Sequence, residues 1–235
     1  ARSLALKLAI GDERGIALTL GNMGRLALLL GRAEDAARLI STDLALVKRT
    51  GPARDVNFVA AELAQAEARA GWQEQAHRRM AELLVTDPPL ERRLAFFIHK
   101  ELGMMELRTN CVGEARSQLE WALARCSADD EYESANLRML QAGVAFAERD
   151  STAVDLYSSA AELAASLHLA DLELDARIGL VRSLLFASRE REAGEQLLIA
   201  AKRCRANGLS RRLGEIAELA HSSALPTTLV GEESH

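Results

Sequence analysis

The feature that most constrains this chain is a pattern that recurs about every forty residues. From Gly15 to Val47 the sequence reads as one helix-turn-helix unit. Leu18, Leu20, Met23, Leu26 and Leu30 fall at helical spacing, Gly31 interrupts them, and Ala36, Leu39, Ile40 and Leu44 begin a second apolar stripe. Apolar side chains three and four residues apart share one helical face, which is what a buried helix needs. With Ala36 as an anchor just past the break, the equivalent small residue returns at Ala76, Ala115, Ala153 and Ala193, at intervals of 40, 39, 38 and 40 residues. A fixed period of that size marks a repeat array, in which each unit covers its neighbour's apolar face.

Two columns that play no part in setting the register agree with it. Thirteen residues before the anchors stand Met23, Leu63, Leu102, Leu140 and Leu180; four after them stand Ile40, Met80, Leu119, Tyr157 and Leu197. All are large and, apart from the hydroxyl of Tyr157, apolar. Seven after the anchor, small residues recur as Ala122, Ala160 and Ala200, while Asp43 and Leu83 break the column. Small side chains let helices approach, and large ones at fixed offsets fill the space between them.

Ala and Leu dominate the apolar residues, aromatics are only 4%, and no β-branched run is long enough for a strand, so the fold class is expected to be all-α. The 29 basic and 34 acidic residues are interspersed, which leaves no overall basic footprint for nucleic acid. No segment reaches the roughly 18 consecutive apolar residues of a membrane span, and the opening residues lack a basic-then-apolar signal pattern. Cys111, Cys126 and Cys204 are odd in number and not closely paired, so they are read as reduced thiols of a cytoplasmic protein.

The expected organisation is a single array over 1–225, with a partial helix at 1–10, hairpins at 12–50, 53–87, 90–127, 129–168 and 169–208, and a capping helix at 210–224. The stretch 226–235 reads as a tail. Ser3-Leu4-Ala5-Leu6 matches Asp43-Leu44-Ala45-Leu46 at an offset of 40, so the chain is expected to open inside a second helix, as a piece of a longer protein. Leu4 and Leu8 then predict an apolar end, through which the isolated fragment would self-associate. Gly51-Pro52 predicts a left-handed glycine cap followed by a helix stop, Asp87-Pro88-Pro89 is the sharpest break, and Ser127 and Asp129 or Ser151 are candidate N-caps.

Leu20-Gly21-Asn22-Met23-Gly24-Arg25-Leu26-Ala27 followed by Gly31 and Ala36, then Leu63-Ala64, Gly71 and Ala76, resembles the signature of the tetratricopeptide repeat family, and Pro88 falls where that family often has its closing proline. These units are longer than the usual repeat of about 34 residues, and the signature tryptophan and tyrosine of the first helix are missing. The long-period style, with the linker Gly11-Asp12-Glu13-Arg14-Gly15, is similar to arrays in large bacterial signalling and transcription regulators, including signal-transduction ATPases and certain kinases and cyclases. The resemblance implies a right-handed α-solenoid of antiparallel helix hairpins. It also implies a concave groove lined by the first helix of each hairpin, with positions 15 and 11 before the anchor pointing into it.

Carried over residue by residue, those positions are Gly21 and Arg25, Ala61 and Gln65, Lys100 and Met104, Arg138 and Ala142, Ile178 and Arg182. Four of the ten are basic and none is acidic, so the groove is expected to favour an acidic peptide, a carboxylate or a phosphate; Glu62 and Glu101 stand close enough to neutralise it. The candidate partner-binding residues are Asn22, Arg25, Gln65, Lys100, Met104, Arg138 and Arg182. Asn22 is the single asparagine at such a place, so the carboxylate clamp of the family's chaperone-binding members is not expected. Phe58, Phe97, Phe146 and Phe186 either reach the groove edge or pack between hairpins.

Nothing predicts catalysis. Gly21-Asn22-Met23-Gly24 follows no strand and precedes no Lys-Ser or Lys-Thr, so it reads as a close helix contact rather than a phosphate loop. The histidines are scattered, with no metal-ligand spacing. The expected function is a non-enzymatic scaffold without cofactor or metal, which binds a protein segment, an acidic one or a domain of its own parent protein, without direct contact to nucleic acid or membrane. A sensor of a small anionic effector and a structural or self-assembly spacer are the alternatives.

Overall fold

Ala- and Leu-rich segments bounded by glycines and short polar turns form helices, and the chain is all-α. The computed structural model describes residues 2–87, 89–127 and 129–223; among them lie twelve α-helices and no strand. In order these are α1 (Arg2–Ile10), α2 (Glu13–Leu29), α3 (Ala33–Thr50), α4 (Ala53–Arg69), α5 (Gln73–Leu84), α6 (Arg92–Arg108), α7 (Val112–Leu123), α8 (Glu131–Ala147), α9 (Ala153–Ser166), α10 (Ala170–Phe186), α11 (Glu190–Ala206) and α12 (Ser210–Ser222). Two compact units divide the chain, the first ending at Met105 and the second beginning at Glu106, inside α6. In the first unit α1 to α4 each pack on the next helix, ending with α4 on α5; in the second α7 to α11 do the same, ending with α11 on α12, and α8 also touches α10.

The repeated columns are the buried ones. All five anchor alanines are at most 2% exposed. Four residues after them, Ile40, Met80, Tyr157 and Leu197 are buried, and thirteen before them so are Leu63, Leu102, Leu140 and Leu180; Met23 and Leu119 are half-buried. Each large apolar side chain buried this way contributes about 1.5–3 kcal/mol. In the first unit these columns merge into one apolar cluster that runs from Ala27 on α2 to Ile98, Leu102 and Met105 on α6. Glycine permits the closest approaches: a Cβ at Gly24 would stand 2.4 Å from Cγ1 of Ile40, and one at Gly179 would stand 2.2 Å from the Tyr157 ring.

The helices α2, α4, α6, α8 and α10 all close with the same bonding. At Gly31, Gly71, Asn110, Arg149 and Ser188 the backbone turns to positive φ. The amide there bonds the carbonyl three residues back and the next amide bonds the carbonyl five back, as in Gly31 to Leu28 (2.9 Å) and Arg32 to Ala27 (2.8 Å). This Schellman closure satisfies carbonyls that the helix end would otherwise orphan. Three of the five positions carry a side chain, which costs an L residue energy that glycine avoids.

Gly51 corrects an expectation. Its φ of −108° and ψ of 163° are extended, not left-handed, because the ring of Pro52 crowds the preceding residue out of helical conformations. The caps of α8 and α9 also differ from Ser127, Asp129 or Ser151. Asp130 caps α8 by accepting the Glu133 amide at 3.1 Å, and Thr152 occupies the cap of α9 while Asp150 accepts its amide at 2.9 Å. On α1 no residue is buried, and Leu6, Leu8 and Ile10 are exposed. Pro88 and the stretch 226–235 lie outside the described residues.

Candidate functional site

The helices that carry the candidate residues of the first unit are tied together by one polar step made twice. Arg25 of α2, eleven residues before its anchor, donates from Nη1 to both carboxylate oxygens of Glu62 on α4 at 2.8 and 3.0 Å. Gln65 of α4, also eleven before its anchor, donates from Nε2 to Glu101 of α6 at 2.9 Å. Glu62 and Glu101 both stand fourteen before their anchors. The same offset therefore connects α2 to α4 and α4 to α6, which turns equivalent faces of the three helices to one side of the unit.

The remaining candidates of this unit join the ladder. Asn22 accepts from Nη2 of Arg25 through Oδ1 at 2.6 Å. Lys100 is buried, with Nζ 2.5 Å from Oε1 of Glu101 and 5.8 Å from the centroid of the Phe97 ring. Met104 is half-buried. A buried carboxylate is costly unless paired, and the partners of Glu62 and Glu101 are the side chains that the sequence offers as a basic stripe. The cations at Arg25 and Lys100 are thus compensated inside the protein. Burial raises the Glu62 pKa, and the bond from Arg25 works against that rise.

Asp43 lies under this ladder. It occupies the column where Ala122, Ala160 and Ala200 stand, is only 4% exposed, and its Oδ1 makes no hydrogen bond among the described residues. A Cβ at Gly21 would come within 2.4 Å of Oδ2, so the missing side chain on α2 is what gives the carboxylate room. Burial first and the charge of Glu62 second push its pKa up to about 6, with Arg25 pulling the other way.

In the second unit Arg138 is exposed and donates from Nη1 to Oγ of Ser159 at 2.6 Å. Arg182 is exposed, and its charge opposes the burial that raises the Tyr157 hydroxyl to about 12. Phe146 and Phe186 meet edge to face, ring centroids 6.2 Å apart, and Phe186 is largely exposed. A second repeated pair spans nine before to three after the anchor: Arg79 donates to Glu67 at 2.8 and 3.0 Å, and Gln118 to Glu106 at 3.2 Å.

Two further rows lie along α2, α4 and α6, one holding the Phe58 and Phe97 expected at the groove edge or between hairpins and one of arginines that the sequence did not single out. Eighteen before the anchors stand Leu18, Phe58 and Phe97; twenty-two before them stand Arg14, Arg54 and Arg93. Leu18 is 60% and Phe58 50% exposed, while Phe97 packs partly against the core cluster. All three arginines are exposed. Both rows obey the same period of about forty residues, so the arginine row carries a signal in the sequence, one turn from the apolar row. Among the described residues no group of three or more metal-capable side chains assembles, and no described helix is long and apolar enough to cross a membrane. The arrangement offers contact surface and matched hydrogen bonds. No protein-family model matches the chain, and no curated protein matches it.

Proposed function

We propose that the chain is a non-enzymatic binding module, a right-handed tetratricopeptide-like α-solenoid serving a larger bacterial regulatory protein in the cytoplasm. It holds a protein segment along the face of its first helices. The observation that carries this reading is the repeated ladder from Arg25 to Glu62 and from Gln65 to Glu101, which aligns α2, α4 and α6 and leaves large apolar side chains in solvent beside it. Monomeric proteins rarely expose contiguous apolar surface without using it. Asn22, Arg25, Gln65, Lys100 and Met104 form the floor of the face in the first unit; in the second unit, taken by itself, Arg138 and Arg182 are exposed binding residues.

Selection of a random displayed peptide library on the intact chain tests this. Peptides are expected to be enriched whose binding slows amide exchange in α2, α4 and α6. Failure to enrich any peptide, or protection confined to α3 and α5, overturns the proposal.

A further inference from the structure

We propose that the first unit's face takes an acidic amphipathic protein segment, with apolar side chains on the row Leu18, Phe58, Phe97 and carboxylates on the row Arg14, Arg54, Arg93. This rests on the reading that the face of α2, α4 and α6 is where a partner binds, and adds the partner's chemistry. On each helix the two rows are four residues, one turn, apart, so their side chains are neighbours. One segment with acidic and apolar side chains on adjacent faces reaches both.

Charge complementarity selects the acidic partner. Arg25 and Lys100 are compensated by Glu62 and Glu101, so the floor of the face draws no anion strongly. The outer row lies in solvent: Arg14, Arg54 and Arg93 are all exposed, and Arg54 pairs with Glu91 at 3.1 Å where both side chains are more than half exposed. An exposed pair of that kind is weak and exchanges readily for a partner's carboxylate, which arginine grips with two parallel donors. The apolar row supplies the other half, since desolvating half-exposed aromatic and aliphatic side chains is what anchors a bound segment. The combination is particular to the first unit. At the same offsets the second has Glu131 and Asp171 in place of arginine, and the small, buried Ala135 and the acidic Asp175 in place of large apolar side chains.

The peptides selected on the intact chain provide the probes. Those that protect α2, α4 and α6 are expected to be rich in Asp or Glu interleaved with Leu, Ile or Phe, and to lose affinity as salt rises. Phe58→Ala and Leu18→Ala are each expected to weaken them about tenfold, and Arg54→Glu about tenfold or more at low salt, with unchanged circular dichroism because all three sites are exposed. Peptides that protect this face but are basic or uncharged, or that ignore Arg14→Glu and Arg54→Glu, overturn the acidic assignment and leave the binding module standing. Absence of any peptide on the face removes both. Tight binding of a fluorescent oligothymidylate or oligouridylate that Arg54→Glu abolishes overturns the protein-segment assignment in favour of nucleic acid.

Discussion

Replacing Asp43 by asparagine changes one heavy atom of a buried carboxyl whose Oδ1 makes no hydrogen bond among the described residues. The Asp43 carboxyl is raised from an ordinary value near 3.8 to about 6 by burial and by Glu62. Within that window the native protein holds a proton that the unfolded chain has released, so stability falls as pH rises through it and the whole loss is present above about 6. A rise of about two pH units, at about 1.4 kcal/mol each, makes a penalty of about 3 kcal/mol at neutral pH. The amide of the variant carries no charge and fills nearly the same volume as the carboxylate. Asp43→Asn is therefore expected to be more stable than the parent by up to about 3 kcal/mol at neutral pH, with the advantage vanishing as both are acidified below the ordinary carboxyl range. Urea unfolding at several pH values measures it, with amide exchange in α3 and α4 locating the effect, and subtracting the two proteins cancels the other carboxylates. Equal stability at neutral pH, or a difference that persists on acidification, would refute the reasoning.

Three other outcomes are expected. Arg25→Met leaves the buried carboxylate of Glu62 without its cation and should cost about 1–3 kcal/mol, reduced from a fully buried pair because Arg25 is partly exposed; adding Glu62→Met should recover most of it in the same urea titration. Gly179→Ala pushes a methyl into the Tyr157 ring, for a loss of about 1–3 kcal/mol, and Tyr157→Leu, which installs the side chain that Leu197 carries at the same offset, should relieve the clash in a double-mutant cycle. Arg149→Gly and Ser188→Gly relax side-chain-bearing residues from positive φ and are each expected to raise stability by about 0.5–1 kcal/mol. A thermal melt that moves downward instead would show those turns to be held by more than backbone preference.

The helical class was legible because it depends on local periodicity: apolar residues three and four apart, with few β-branched runs, have no other regular way to be buried. The anchors and large columns were legible for a related reason. A side chain that must vanish between neighbours tolerates few alternatives, so Ala36, Ala76, Ala115, Ala153 and Ala193 announce their burial by composition alone. Gly51 was misread because two local rules competed there, glycine's freedom at a helix end and proline's restriction of its predecessor, and the second won.

What the face presents was much less legible. Arg25 and Lys100 read as available cations, since a sequence shows a charge without showing the carboxylate that meets it from the next helix. Phe58 and Phe97 hold the same offset, yet one is half exposed and the other packs on the core. By itself the sequence determined that these segments are helices and which stripe of each is buried, because both follow from spacing along one chain. Only the tertiary structure decided which charges cancel, which carboxyl is stranded and which rows remain in solvent, because electrostatic and exposure energies depend on distances between helices that no single helix contains.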